Sequence, residues 1–360
     1  MLAALPPFLL YLGTMAPTVY GLDSAELATG AYLLGIVHAP GAPTFLLVGH
    51  LFTWLPWGDV GYRVNLVSVV AAAAALGFLY GALRHLGMRR ATGVAACWFL
   101  ATTWFYWTAA LAAELYAPHA CFLAALLWLA LRFHRQGRRR DLFAFCLVFG
   151  VALGNHLATA FLLPGFQVLL ITARRDVLRA PKLLAASVLL VLLGASAYAY
   201  LPLRAAAGVE MNYALEMGVD VRSVDGFLWM IGGRMFADQL FAVPLRQLPS
   251  EVVWFAWRLW SNFFGLASLL GVAGFAAGLR SRRAETFALA LLFLGHLAFI
   301  LPYGVADKET MLLPAFVVWG IWCAFGADSL AAHPRLALLS GHRGSAALLL
   351  AALACGNVVV

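Results

Sequence analysis

The sequence predicts an all-α polytopic membrane protein, a bundle of about eleven transmembrane helices with two long loops on one side. Three observations predict it. The 360 residues are 64% hydrophobic and 11% charged, with a mean hydropathy of +0.88, where soluble domains carry about 25% charge. Long apolar runs recur at lengths suited to a hydrocarbon layer about 30 Å thick. The charges segregate by sign. Five clusters, 84–90, 132–141, 173–182, 278–285 and 333–343, hold 17 of the 24 Lys and Arg, and the loops between them hold 12 of the 16 acids. Basic loops stay in the cytoplasm, so the acidic loops are expected outside it.

This orientation orders the elements. The opening run, residues 1–20, lacks a basic leader and a small-residue cleavage site, and reads as a retained span. Spans are then expected at 62–83, 91–111 and 117–133. The stretch 142–172 lies between two basic loops. As one helix its 31 residues would be about 46 Å long, so it reads as two short spans bent outward near "GNHLATAFLLPG". Further spans follow at 183–201, 252–278, 285–302 and 311–330, with a last apolar run at 345–360. The chain reads as one transmembrane domain over 1–360, with no separate soluble domain. The first external loop, 21–61, carries a Trp-rich interfacial segment; the second, 203–250, carries short helices expected to lie on the membrane surface. The absence of an internal repeat speaks against a transporter built from inverted repeats.

Cys97, Cys121, Cys146, Cys323 and Cys355 sit in apolar stretches without metal or disulfide spacing, as small hydrophobes in helices do. The net charge of +8 lies in the basic loops and implies no nucleic-acid partner.

Polar groups at membrane depth are costly and therefore functional candidates. Here they gather on the external side: Asp23, Glu26 and His38 in the first loop; Arg63 and Asn65 opening the second span; Glu114 and Tyr116 in "AELYAPHA"; Asn155 and His156 in "GNHL"; Arg204 in "YLPLRA"; Arg234 in "GGRMFADQ"; and Asp307 in "LPYGVADKETMLLP". Each has a plainer reading. Asp23 or Ser24 with Glu26 would make a capping box, Arg63 would snorkel, and Asp307 would favour a helix start. Their convergence suggests an external cavity holding carboxylates and cations. The inner halves of the spans are nearly featureless Ala, Leu and Val, which argues against a pore. The combination suits sugar transfer from a lipid phosphate. A carboxylate would take the acceptor proton, cations would hold the leaving phosphate, and arginine suits phosphate by its fork. No nucleotide-binding glycine loop and no clustered metal-ligand pattern is present. A lipid-phosphate donor needs neither, so no cofactor or metal is expected.

The stretch "APTVYGLDSAELATGAYLLGIVHAPGAPTF" followed by "YRVNLVSVVAAAAAL" resembles the amino-terminal signature of a multi-spanning family marked by D-S-x-E, a following H-P-P-G, and R-x-N-L-x-S. "AELYAPHA", "GNHLATAFLLP", "YLPLRA" and "DKETMLLPAF" continue the likeness in order across most of residues 10–325. Ala39 stands where the pattern usually has proline. The family is that of protein O-mannosyltransferase-like proteins, here a bacterial-type member, and it resembles the GT-C glycosyltransferase fold. The resemblance implies a GT-C-like bundle, a polyprenyl-phosphate sugar donor, inversion at the anomeric carbon, and an acid of the first external loop at the acceptor hydroxyl. On this sequence that acid is Asp23, with Glu26 as second choice or as a partner tuning Asp23. The resemblance does not assign the donor contacts individually. Physical fitness selects Arg204 and Arg234 for the phosphate with His156 assisting, Glu114, Tyr116 and Asn155 around the sugar, with His38, Arg63 and Asn65 nearby, and Asp307 orienting a cation. The expected activity is transfer of a hexose, mannose, to a Ser/Thr hydroxyl of an exported protein outside the inner membrane. An envelope lipid or glycan acceptor, or a non-catalytic transporter of a lipid-linked substrate, are the alternatives.

Overall fold

The structure, a computed structural model, describes residues 1–173, 180–332 and 345–359. Among these it is helical throughout. α1 (Leu5–Thr14) precedes the first long loop, which carries α2 (Ser24–Leu33) and α3 (Pro43–Phe52). The bundle follows: α4 (Val60–His85), α5 (Arg90–Ala101), α6 (Trp104–Ala109), α7 (Tyr116–Gln136), α8 (Arg139–Leu153), α9 (Leu163–Ala173) and α10 (Pro181–Ala195). The second long loop carries α11 (Tyr200–Ala206), α12 (Tyr213–Glu216) and α13 (Val224–Ile231). The chain then returns through α14 (Leu248–Asn262), α15 (Leu269–Ser281), α16 (Arg283–Ile300), α17 (Leu313–Ala331) and α18 (Ser345–Val359).

Among the described residues, five helical stretches are long and apolar enough to cross a membrane: Val60–His85, Tyr116–Gln136, Pro181–Ala206, Arg283–Ile300 and Thr310–Ala331. The stretch expected as one span over 252–278 is instead two helices meeting at 107°; counted together they would be a sixth span. Apolar composition runs through the bend and hides it. The reason lies in two residues. Asn262 accepts the backbone N–H of Phe105 at 3.0 Å, and buried Phe263 wedges between Phe99 and Phe316, with ring centroids 5.8 and 6.0 Å apart. The other expected crossings fall on shorter elements. The opening run makes only the ten-residue α1, about 15 Å long. Residues 91–111 break at Thr102–Thr103 into α5 and α6. The stretch 142–172 forms two helices, α8 and α9, turned at the "GNHL" segment.

The bundle has a polarity set by its helix ends. α4, α7 and α16 each run between the 84–90, 132–141 or 278–285 basic cluster at one end and the acid-bearing loops at the other, and α8 runs from the 132–141 cluster to the "GNHL" turn. The basic ends are stitched together: Arg282 Nε donates to Leu86 O at 2.6 Å, Arg135 pairs with Glu285 at 3.0 Å, and Arg132 with Asp141 at 2.9 Å. Residues 174–179 of the third basic cluster and all of 333–343 lie outside the described residues. Helices approach through glycine. A Cβ at Gly150 would lie 2.1 Å from Val191 O, and one at Gly194 2.3 Å from Leu147 O. Only glycine therefore lets α8 and α10 touch backbone to backbone, the small-residue packing usual where lipid supplies no hydrophobic drive between helices.

α3 leaves Leu47, Val48, Leu51, Trp54 and Trp57 exposed at its end and on its outer side, as an interfacial segment would. The second long loop folds back over the first. Ile36 N donates to Met211 O at 2.8 Å and Tyr213 N to Ile36 O at 2.9 Å, the one β-bridge among the described residues. That bridge carries residues 232–240 over the acid-bearing end of the bundle.

Candidate active site

The acidic loop is shaped by a buried asparagine. Asn65, on the first turns of α4, donates from Nδ2 to Ala16 O at 3.0 Å and Thr18 O at 2.8 Å. Its Oδ1 accepts from Ala113 N at 2.8 Å. One side chain thus joins the segment before α2 to the segment before α7. Ser68, one turn on, lies against Glu114 backbone atoms at 3.4 and 3.5 Å. The clamp sets Glu114 behind Asp23, whose backbone N–H donates to Glu114 Oε1 at 3.2 Å. Burial is the main cause that pushes the Glu114 carboxyl up to about 8, with Asp23 and Asp307 adding to it and the Asp23 N–H working against it. Burial thus favours the neutral form of Glu114.

The two loop acids are not a capping box. Asp23 occupies the N-cap of α2 but makes no cap hydrogen bond from its side chain. Glu26 reaches across the loop to His38: Oε1 accepts the His38 backbone N–H at 2.7 Å, and Oε2 lies 2.6 Å from Nδ1. His38 Nε2 then faces Asp23 Oδ2 at 3.8 Å. The histidine is framed edge-on by Tyr213 and Phe236 from the overlying loop, at 6.3 and 6.0 Å. Burial alone would lower the His38 pKa, but the Glu26 hydrogen bond and the charges of Glu26, Asp23 and Asp307 outweigh it and raise it. Burial would raise Glu26, and the His38 contacts outweigh that in turn, leaving it lowered. Each of Glu26 and His38 thus favours the charged form of the other. Asp23 is raised by burial, with Glu26 and Asp307 reinforcing and His38 opposing. It is the more basic of the two carboxylates and the one whose oxygens are not consumed by hydrogen bonds.

These groups form the polar end of a cavity of about 520 Å³. Asp23, Glu26, His38, Tyr116, Asn155, His156 and Asp307 line that end; Phe161, Met235, Phe236, Leu240, Phe299 and Met311 are among its apolar walls. Gly41 closes the turn after His38 with φ +88°, and a Cβ there would lie 2.8 Å from Leu201, so the H-A-P-G turn requires glycine at its last position.

The structure therefore brings together seven of the sequence-selected residues and sets the others aside. Glu114 and Asn65 lie behind the wall. Arg63 donates to the carbonyls of Thr53 and Gly58 at 2.8 Å and pins the turn ahead of α4. Arg204, selected for phosphate, does not line the cavity: its Nε and Nη2 donate to Leu34 O at 2.7 Å and Leu33 O at 3.2 Å, closing the carboxyl end of α2. Arg234 is exposed, but its neighbours Gly233 and Met235 line the cavity, which puts it at the rim. His156 is half-buried and stacks on buried His119, ring centroids 4.9 Å apart. Its Nδ1 accepts from Ala158 N at 3.1 Å, so that nitrogen carries no proton and the ring is a neutral Nε2–H donor. His38 was under-read in the sequence, although its H-x-P-G turn was the available signal. His119, which the sequence offers with Glu114 and Tyr116 in "AELYAPHA", also meets His296 of α16 at 6.1 Å; His296 sits in an apolar span and was not selected.

Lys308 holds the loop bearing Asp307. Its Nζ donates to Leu301 O at 3.2 Å and Tyr303 O at 3.0 Å and pairs with Glu251 of α14 at 2.8 Å. For a metal, Asp23, Glu26 and His38 offer ligand atoms within 4.8 Å of one another. Binding there would have to displace the Glu26–His38 hydrogen bonds.

Residues 23–179 match the sequence model described as Protein O-mannosyl-transferase TMEM260 N-terminal domain. Mouse Protein O-mannosyl-transferase TMEM260 is 33% identical over 129 residues, 36% of this chain and 18% of the relative. The Dictyostelium discoideum protein of that name is 23% identical over 207 residues, 53% of this chain and 25% of the relative. Among solved structures, ArnT from Cupriavidus metallidurans bound to undecaprenyl phosphate superposes with a TM-score of 0.63 at 14% identity, over 99% of this chain and 69% of ArnT. The Archaeoglobus fulgidus oligosaccharyltransferase, in complex with Zn and sulfate, gives 0.54 at 11% identity, over 98% and 53%. Residues 23–179 are thus similar to an O-mannosyl-transferase amino-terminal domain, and the chain has a fold like that of ArnT. The chain spans 18% and 25% of the length of the curated relatives it matches. The matched stretch contains Asp23, Glu26, His38, Asn65, Glu114, Asn155 and His156; Arg204, Arg234 and Asp307 lie beyond it.

Proposed function

We propose that this chain is an inverting GT-C glycosyltransferase, moving a hexose, mannose, from a polyprenyl-phosphate carrier to a Ser/Thr hydroxyl of an exported protein. The observation that carries the reading is Asp23: a half-buried carboxylate with free oxygens, at the polar end of an otherwise apolar cavity, beside the Glu26–His38 pair. In the proposed reaction Asp23 takes the proton of the acceptor hydroxyl. The acceptor oxygen forms a bond to the anomeric carbon as the bond from that carbon to the phosphate oxygen breaks on the opposite face, so the configuration inverts. The electron pair leaves with the polyprenyl phosphate, which gains negative charge. His38, held as a cation by Glu26, and Arg234 at the rim oppose that charge. Neutral His156, with Tyr116 and Asn155, offers hydrogen bonds to sugar hydroxyls, and the apolar walls suit the first units of a lipid. Glu114 and Asn65 act by holding Asp23 in place.

The reaction as proposed needs no metal, because His38 supplies the cation and already occupies the Glu26 oxygens. The basic ends of α4, α7 and α16 support placing the cavity outside the cytoplasm of an inner-membrane protein. The test is transfer in proteoliposomes, with radiolabelled polyprenyl-phosphate mannose and a mixed pool of exported proteins and envelope lipids. Label on protein is the expected result. Label on lipid would overturn the protein acceptor. Flux of the intact labelled donor across the bilayer without transfer would overturn the enzyme reading.

A further inference from the structure

At the end of the bundle opposite the acidic cavity lies a second cavity of about 830 Å³. Tyr80 and Arg84 of α4, Arg90 and Trp98 of α5, and Leu348 and Ala351 of α18 line it, with the segment before α1. Arg84 is 19 residues beyond Asn65 on α4, about 29 Å along the helix axis, so the two cavities are separated by about the thickness of a bilayer core. We infer that this second cavity binds the headgroup of an anionic phospholipid, such as phosphatidylglycerol, with an acyl chain along its apolar wall.

Three independent features point to that occupant. Arg84 and Arg90 are both exposed, and neither has a carboxylate partner among the described residues. Arg84 donates to Met88 O from one nitrogen only, leaving the rest of its fork for an incoming phosphate. Arg90 opens α5, whose first turn is not capped by the N-cap side chain. Arg90 and Ala91 of that first turn line the cavity beside Arg84, and helix starts are where phosphate is received. The remaining wall is hydrocarbon-like. Trp98 is fixed by its Nε1 donating to Leu2 O at 3.0 Å, and the wall continues outward through exposed Leu2, Leu5 and Leu348. A soluble phosphate would have no use for that wall, and a neutral lipid none for the two arginines. Basic pockets between membrane helices take anionic headgroups for the same reasons. None of these residues touches the acidic cavity, so the inference does not depend on the proposed transfer reaction.

The preference is measured by native mass spectrometry of the detergent-purified full chain, titrated with equal phosphatidylglycerol and phosphatidylcholine. Two arginines near a headgroup predict a preference on the order of thirtyfold for one phosphatidylglycerol per chain. R84Q/R90Q should bring it close to one. R138Q/R139Q, which removes the same charge from another basic loop, should leave it intact. Ala351→Trp fills the cavity without altering charge and should also lose the bound lipid, which guards against a misfolded arginine variant. Equal binding of the two lipids by the unmodified chain would overturn the inference. So would a preference that survives R84Q/R90Q, or one lost equally in R138Q/R139Q.

Discussion

Replacing Glu26 by glutamine removes a charge and one of two acceptors from the pair that organises the acidic loop. Glu26 receives the His38 backbone N–H at 2.7 Å and Nδ1 at 2.6 Å. Glutamine keeps one carbonyl oxygen, so one of those donors would meet an amide NH2 instead. A lost hydrogen bond to a charged group costs about 1.5–3 kcal/mol, and breaking a buried pair from one side costs about 3–5 kcal/mol. The side chains are 17% and 23% exposed, so screening is limited, and a destabilisation of about 3 kcal/mol is expected. Its pH dependence follows from the two shifts. His38 is raised in the folded chain, so its contribution is complete below its ordinary value near 6.5 and declines as pH rises through the raised one. Glu26 is lowered, so its contribution is complete above its ordinary value near 4.5 and declines as pH falls through the lowered one. Both describe one interaction, and it is strongest between about pH 4.5 and 6.5. Thermal unfolding midpoints of the unmodified chain and E26Q, measured in detergent from pH 4 to 9 at one scan rate, should differ most in that window. The difference should narrow toward pH 9, where neutral His38 keeps only an uncharged hydrogen bond. A difference that is constant across the range, or absent, would refute the ion pair.

The remaining predictions concern what holds the cavity and what fills it. Asn65→Ala leaves the Ala113 N–H and two carbonyls without a partner, so it should lower stability by about 3 kcal/mol and reduce transfer although Asn65 touches no substrate; normal stability with normal activity would remove the clamp from the account. Arg204→Gln should lower the unfolding midpoint while changing the donor KM less than about twofold, whereas Arg234→Gln should raise the donor KM about tenfold or more, the loss of one charge-assisted contact; the reverse pattern would return the phosphate to Arg204. Removal of divalent ions with EDTA should leave the transfer rate unchanged, and a rate lost to EDTA and restored by a divalent cation would instead place a metal among Asp23, Glu26 and His38.

Much of this architecture was legible because membranes impose a simple grammar. Charge segregation and apolar run length located the long spans α4, α7, α16 and α17 to within a few residues. What failed was local. Nothing in an apolar stretch announces that Phe263 will turn inward and bend the chain by 107°, because the bend is fixed by tertiary partners. At the site, residue type and clustering selected the right loops but not the division of labour. Arg204 and Arg63 carry the charge expected of a phosphate ligand, yet both guanidinium groups are used on backbone carbonyls at helix and turn ends. Asn65 was selected as a pocket residue and turned out to build the pocket from behind. Hydrogen-bond partners 40 or more residues apart, as in Asn65–Ala113 and Asp23–Glu114, have no trace in spacing. The pairing of Glu26 with His38 spans only 12 residues and has a structural cause that a turn motif can suggest: Gly41 folds the histidine back over α2.

The account stands most directly on Asp23. Single-turnover transfer by purified Asp23→Asn, compared with the unmodified chain at saturating labelled donor and acceptor, isolates the chemical step from binding. Loss of a positioned base predicts a rate lower by about 10²–10⁴-fold, with the unfolding midpoint and donor affinity close to those of the unmodified chain. A variant that folds, binds donor and transfers at the unmodified rate would contradict the central claim.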